Sequence, residues 1–176
     1  NGAKPGGCMR DEPAPGDDAL TQAFVGRESF RSHVRSALAR AASERWPQLV
    51  LSDADFVDWP LNDAAVIDAL QRWVRHAQGF TLLARRYDEV PRQHARFVEW
   101  RRQWAHKIEC RICREADPQQ LPSALWAPLW ALQRTESIRH TGWCGRDPGR
   151  RRRLREDIDG WLARSSAGFP AYALGL

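Results

Sequence analysis

Lysine is almost missing from this chain of 176 residues, which has only Lys4 and Lys107 and takes its basic charge from arginine. Methionine occurs once and tyrosine twice, whereas tryptophan occurs nine times. No apolar run approaches the ~20 residues that span a bilayer, so we expect no membrane segment. No charged-then-apolar leader is present, which predicts a cytoplasmic location.

Complete catalytic signatures are absent as well. The chain has no G-x-S-x-G serine elbow and no G-x-x-x-x-G-K-[ST] phosphate loop. Asp53 and Asp55 form a D-x-D, but the glycine and the distal glutamate of a calcium loop do not follow it. The sequence therefore predicts no cofactor and no metal, and it favours binding over catalysis.

Arginine gives the chain a net charge of +5. Its guanidinium binds phosphate and carboxylate groups through two parallel hydrogen bonds, so an acidic partner is one explanation. A codon bias towards arginine and alanine is the other. The length predicts one domain over residues 19–176, after a flexible tail at 1–18 that is rich in glycine, proline and aspartate.

Helical and strand periods alternate along the first two thirds of the domain. In residues 92–114, Phe97, Trp104 and Ile108 lie at helical steps, and Ile108–Ile112 then alternates as a strand. This order predicts an α/β fold with a parallel sheet and crossover helices on both faces. Strands are expected at 21–25, 48–51, 80–83 and 108–112, with helices at about 27–44, 63–76 (capped by Asn62) and 91–107.

The pattern changes after residue 114. Pro122 and Pro128 interrupt an apolar segment, so two short antiparallel strands with a turn near 127–128 are predicted. A loop is expected at 140–147, followed by a closing helix that Asp147 caps and that runs to about residue 163. The apolar segment 169–176 is expected to pack onto the domain.

Charged residues follow three of the predicted strands, at the edge where ligands of open parallel sheets collect. Asp53 and Asp55 follow the second strand, Arg85 and Arg86 follow the third, and Arg111 lies on the fourth. We predict that these five residues bind a ligand. A rim of ion-paired loops is the alternative.

Consecutive arginines open the closing helix, where cations oppose the helix dipole at ~0.3–1 kcal/mol each. Pairs of Arg152 with Glu156 and of Arg153 with Asp157 are expected to offset part of this penalty. An anion or a nucleic-acid backbone would explain the rest, with a solvated charged face as the alternative. The predicted contact residues are Arg150, Arg151, Arg152 and Arg153.

Histidine gives a weak catalytic signal. His106 and His94 are the candidates, but ~18 Å of helix separates them, and a structural role is the simpler interpretation of both.

Cysteine gives a weak metal signal. Cys110 and Cys113 form a C-x-x-C, but residues three apart on a strand point to opposite faces, which argues against a shared metal. A zinc site with Cys8 and Cys144 would need a turn at 110–113.

Three stretches, LVLSDADFVDWPL, FTLLARRYDEV and DIDGWLARSSAGFPAYALGL, resemble a group of uncharacterised bacterial phospholipase D-like domains over about residues 20–176. The resemblance implies half of a phospholipase D-type fold, with parallel strands, an antiparallel pair and a closing helix. It also places the family's H-x-K-x4-D signature on that pair, where this chain reads PSALWAPLWALQR. The catalytic histidine and lysine are therefore missing.

Together these features predict a catalytically degenerate phospholipase D-like domain that binds an anionic, phosphate-containing ligand. The first alternative is a phosphodiester hydrolase that uses His106 or His94 with arginines in one cleft. The second is a nucleic-acid-binding domain, in which the arginines at 150–153 and those of the third helix form one continuous face. A homodimer is expected from the resembled family.

Overall fold

The computed structural model describes residues 20–170. The predicted tail at 1–18, with Cys8, and the end of the chain after residue 170 lie outside the described residues. The strands are β1 Thr21–Phe24, β2 Gln48–Asp53, β3 Gly79–Ala84, β4 Ile108–Ile112, β5 Ser123–Trp126, β6 Ala131–Glu136, β7 Thr141–Gly145 and β8 Ser166–Ala167. The helices are α1 Arg27–Glu44, α2 Ala64–Val74, α3 Glu89–Gln93, α4 Ala95–Gln103 and α5 Pro148–Leu162.

All eight strands form one sheet, in the order β1-β7-β6-β5-β2-β3-β4-β8. Strands β2, β3 and β4 are parallel, because α2 and the pair α3–α4 return the chain to the same end of the sheet. Strand β5 then pairs antiparallel with β2, and β6 pairs antiparallel with β5. The predicted α/β fold, with a parallel core, an antiparallel pair and a closing helix, is confirmed.

Two hydrophobic cores lie on opposite faces of this sheet. On β2, Leu49 and Leu51 face the core that α1 to α4 cover, whereas Val50 faces the core that α5 covers. Both crossover connections therefore lie on the same face, and the prediction of crossover helices on both faces is wrong in that detail. Within residues 20–170, no helix is long and apolar enough to cross a membrane.

The predicted third helix is broken at His94. This residue has φ −125° and ψ 51°, which separates α3 from α4. Its ring Nε2 lies 2.7 Å from the carbonyl oxygen of Phe56, a contact that the helical period of the sequence does not reveal. Asn62 does not cap α2, because Asp63 takes that position. Instead, its side chain accepts a hydrogen bond of 3.0 Å from the backbone N–H of Arg96 at the start of α4.

Strand β7 lies where a loop was predicted, at 140–147. Gly142 and Gly145 suggested a turn, but both glycines stand within the strand that joins β1 to β6. A Cβ atom at Gly142 would lie 2.0 Å from the carbonyl oxygen of Gln133, so only glycine allows this close approach.

Candidate functional site

Arg134 on β6 is a buried cation at the carboxyl end of the parallel strands, with only 8% of its surface exposed. Its Nη2 lies 3.1 Å from Asp53 Oδ1, at the end of β2. Its Nη1 lies 2.9 Å from Asp58 Oδ2, in the loop after β2. One guanidinium thus neutralises two carboxylates of the segment that follows the first parallel strand.

The remaining donors of Arg134 are also used. Nε donates to Ser123 Oγ at 3.1 Å, and Nη1 also lies 3.0 Å from His140 Nδ1. Burial raises the pKa of Asp58, but the hydrogen bond and the charge of Arg134 outweigh this effect, so the pKa of Asp58 is lowered. This network ties the loop after β2 to strands β5 and β6.

A cleft of about 710 Å³, here called the central cleft, opens above Arg134. The carboxylate of Asp55 lies in it, and burial is the main reason that the pKa of Asp55 is raised. The five carboxylates and one guanidinium that line the cleft give it an acidic character. These residues are Asp53, Asp55, Asp58, Glu136, Asp157 and Arg134.

The predicted ligand-binding residues at this edge divide into two groups. Asp53 and Asp55 line the central cleft, whereas Arg85, Arg86 and Arg111 do not. Arg86 lies 3.9 Å from Asp55 Oδ2, outside the cleft lining. Arg111 turns towards the end of α5, where its Nη2 donates to the carbonyl oxygen of Ser165 at 2.7 Å. The alternative of an ion-paired rim describes these contacts better than convergence on one ligand does.

Sequence reasoning missed Arg134 as the centre of this edge. It belongs to the strand ALQRTE, where it was counted only as the end of an apolar segment. A single arginine on an otherwise buried strand was the available signal, because such a cation needs carboxylate partners.

The two candidate histidines do not meet an arginine pair in one cleft. His94 is buried at the α3–α4 junction, and this burial lowers its pKa. His106 is exposed in the turn before β4, beside Trp104. Neither lines the central cleft. The arrangement that would have favoured the hydrolase alternative is therefore absent from residues 20–170.

Cys110 and Cys113 lie on opposite faces of the sheet, as their strand spacing predicted. Cys110 belongs to the core beneath α4, and Cys113 belongs to the core beneath α5. Cys144 is also buried, beside His33, whose Nδ1 lies 3.7 Å from its sulfur. Within residues 20–170 no three histidine, cysteine or acidic side chains are grouped closely enough to hold a metal ion.

The arginines at the start of α5 have three different environments. The guanidinium of Arg150 lies over the ring of Trp143, with 5.4 Å from its Cζ to the ring centroid. Arg151 turns inward and donates to the carbonyl oxygens of Arg146 and Pro128. Arg152 and Arg153 point to solvent, and their expected pairs with Glu156 and Asp157 do not form.

The continuous basic face predicted for a nucleic-acid binder is not present. The arginines of α4 lie on the face that α1 to α4 cover, and α5 lies on the opposite face. Arg101 is moreover buried, with its Nε 3.1 Å from Cys110 Sγ. The basic residues of α5 therefore form a surface of their own.

No protein-family model and no curated protein match this chain. A solved structure has a similar fold: that of TrmBL2, an archaeal chromatin protein, which shows a novel mode of DNA binding. The superposition has a TM-score of 0.62 and 15% sequence identity, and it covers 91% of this chain. At this identity the likeness shows a shared fold. The chain spans 57% of the TrmBL2 chain.

Proposed function

We propose that this chain is a nucleic-acid-binding domain that contacts the phosphate backbone through the arginines at the start of α5. One observation carries the proposal. Arg150, Arg152 and Arg153 are exposed, and none of them lies within 4.0 Å of a carboxylate among residues 20–170. Phosphate groups would supply the missing negative charge and would also be favoured by the positive end of the helix dipole.

Three exposed arginines on the other face of the sheet have a carboxylate partner in their own helix, which Arg150, Arg152 and Arg153 lack. Arg72 lies 3.2 Å from Asp68, Arg92 lies 3.4 Å from Glu89, and Arg102 lies 3.6 Å from Glu99. Arg45 and Arg75 on that face are exposed without a carboxylate within 4.0 Å, but they stand singly. The α5 group differs because three unpaired cations lie within four consecutive residues, and this clustering favours a functional contact over a general excess of arginine.

Two considerations favour nucleic acid over a small anion in the central cleft. The cleft is acidic, so a small anion held there would be repelled by the carboxylates that surround Arg134. The fold is similar to that of TrmBL2, for which DNA binding is described, and this supports testing nucleic acid first.

The test is fluorescence anisotropy with labelled single-stranded and double-stranded oligonucleotides at several salt concentrations. Binding should weaken steeply with salt, because each phosphate contact releases a condensed counterion. The triple variant Arg150→Ala, Arg152→Ala, Arg153→Ala should bind more weakly, and its log–log salt slope should be shallower by about 3.

A matched control removes the same charge from the opposite face. The variant Arg72→Ala, Arg92→Ala, Arg102→Ala has the same net charge as the α5 variant but should keep wild-type affinity and salt slope. Equal losses in both variants would mean that net charge alone attracts the nucleic acid. No binding by the wild type at low salt would overturn the proposal.

The relationship to phospholipase D-like domains is part of the same proposal. The β5–β6 pair carries Ser123 and Arg134 at the cleft, and neither strand contains a histidine or a lysine. The absence of both residue types from this strand pair is consistent with a binding domain that has lost the phosphodiesterase residues. Self-association into a homodimer stays a prediction, and sedimentation equilibrium would test it.

A further inference from the structure

Five residues lie on one side of α5 and of the turn that follows it, because they are spaced three or four residues apart. They are Arg150, Arg153, Asp157, Trp161 and Arg164. This face borders three adjoining clefts. A cleft of about 220 Å³ beside Arg150 and Arg153 shares Asp157 with the central cleft. The central cleft in turn shares Gln120 with a cleft of about 590 Å³ beside Trp161, here called the Trp161 cleft. Together they form one groove, the α5 groove, which is about 21 Å long at the rise of an α-helix.

The Trp161 cleft combines an aromatic plane with unpaired cations. Trp161 is half-buried against the core beneath α5, and the guanidinium Cζ of Arg164 lies 5.3 Å from its ring centroid. Arg114 also lines this cleft, as do the acidic residues Glu115 and Asp117. Both arginines are exposed, and neither has a carboxylate within 4.0 Å in the described part of the chain.

The segment of residues 113–120, which lines part of the Trp161 cleft, is held in shape by its own hydrogen bonds. The backbone N–H of Ala116 donates to Cys113 O at 3.2 Å, and that of Gln120 donates to Asp117 O at 3.0 Å. Asp117 Oδ1 also accepts the N–H of Gln119 at 2.9 Å. The cleft is thus formed before any ligand binds, and the Gln120 amide at its edge can both donate and accept hydrogen bonds.

We infer that the α5 groove binds single-stranded nucleic acid, with one base stacked on Trp161. The inference rests on the proposed function and specifies its ligand. The base occupies the plane that the exposed Arg164 side chain now covers, and Arg164 and Arg114 contact the adjoining phosphates. Arg150 and Arg153 contact the phosphates at the other end of the groove.

A single strand fits this groove better than a duplex does. Bases in a duplex are stacked on one another and cannot reach an indole ring, whereas bases in a single strand stack on aromatic side chains and guanidinium planes. The middle of the groove is the acidic central cleft, which Asp157 lines together with Asp53, Asp55, Asp58 and Glu136, so the phosphates of a bound strand are held at the two ends of the groove and not in its middle. A duplex places one charge per about 1.7 Å along its axis, so it would meet more repulsion there.

The experiment compares anisotropy titrations of oligo(dT) of about 16 nucleotides with titrations of a matched duplex. Wild type should prefer the single strand. Trp161→Leu should weaken single-strand binding about 10-fold, which is the usual effect of losing one stacked base, and should leave duplex binding unchanged. Trp161→Phe should retain most of the affinity, because it keeps an aromatic plane.

Trp104→Leu is the matched control, since Trp104 is a half-buried tryptophan on the opposite face, and it should bind like wild type. If Trp161→Leu does not fold, the exposed pair Arg114→Gln, Arg164→Gln replaces it and should make the single-strand salt slope shallower by about 2. Asp157→Asn should tighten single-strand binding.

The outcomes separate the two proposals. Equal loss of single-strand and duplex binding in Trp161→Leu, or equal wild-type affinity for both, would overturn the stacking inference while the α5 arginines could still prove necessary. Absence of all binding at low salt would overturn the proposed function and this inference together.

Discussion

Arg134 occupies its buried position because acceptors surround its guanidinium. Asp53 and Asp58 balance its charge, Ser123 accepts from Nε, and the ring of Phe30 lies 4.8 Å from its Cζ. A buried ion pair contributes little net stability compared with well-packed apolar residues, but breaking it leaves an uncompensated charge. Replacing Arg134 should therefore destabilise the domain mainly because its buried carboxylate partners would lose their counter-charge.

Arg134→Met should destabilise the domain by about 3–5 kcal/mol, because Asp53 would remain buried without its cation. Urea unfolding followed by circular dichroism measures this loss. The double variant Arg134→Met, Asp53→Asn should recover part of it. A double variant no more stable than the single one would show that cavity and packing effects, rather than the stranded charge, dominate.

The two aspartates of the same loop should respond to pH in opposite directions. The pKa of Asp58 is lowered in the folded state, so its stabilising effect is present above its unfolded pKa and is lost as pH falls through the folded pKa. The pKa of Asp55 is raised, mainly by burial, so its ionised form destabilises the folded state at neutral pH.

Asp58→Asn should therefore be less stable than wild type at about pH 7 and should approach it only below about pH 4, because the contribution is lost between the unfolded pKa of aspartate and the lower folded pKa of Asp58. Asp55→Asn should be more stable than wild type at about pH 7, with the difference shrinking on acidification. Urea midpoints across this pH range measure both trends. If both variants changed the urea midpoint at about pH 7 in the same direction, the opposite pKa shifts of Asp55 and Asp58 would be contradicted.

At the scale of elements, α5 begins with an arrangement that helix energetics do not favour. Asp147 caps the helix and accepts the N–H of Arg150 at 2.7 Å, but the arginines that follow oppose the dipole. Arg155 alone has an intrahelical partner, Asp159, at 2.9 Å. A helix selected only for stability would place these cations in its last turn.

Arg152→Gln and Arg153→Gln should each raise the free energy of unfolding by less than about 0.3 kcal/mol, because both lie in the second turn of α5, where repulsion from the dipole has largely decayed, and glutamine keeps the helix propensity. Arg72→Gln in the last turn of α2 is the matched control and should lower it slightly, since the dipole favours a cation there. Destabilisation by the α5 changes would mean that these arginines have a structural role.

The sequence predicted helices and strands correctly where the spacing of apolar residues within the segment determined its structure. The strands β2, β3 and β4 and the helix α1 follow from their apolar spacing. The break at His94 did not, because it depends on a carbonyl group of Phe56 that is distant in the chain. Strand β7 was missed because Gly142 serves close strand approach rather than a turn. Arg134 was missed for the same reason: its partners are distant in sequence.

At the scale of the whole domain, residues 20–170 form one sheet with a hydrophobic core on each face. The face beneath α1 to α4 holds most of the large buried side chains, such as Trp73 and Phe97. The face beneath α5 has a smaller core and carries the groove. Because strands β2 and β3 contribute side chains to both cores, the two faces should unfold together.

Cysteine labelling can test this coupling, because Cys110 and Cys113 are buried beneath α4 and α5 respectively, each less than 7% exposed. In variants that retain one of these thiols as the sole cysteine, both should react with a disulfide reagent at the same urea midpoint. Local opening of α5 alone would expose Cys113 at lower urea than Cys110. That result would show that α5 and the core beneath it open independently of the rest of the sheet.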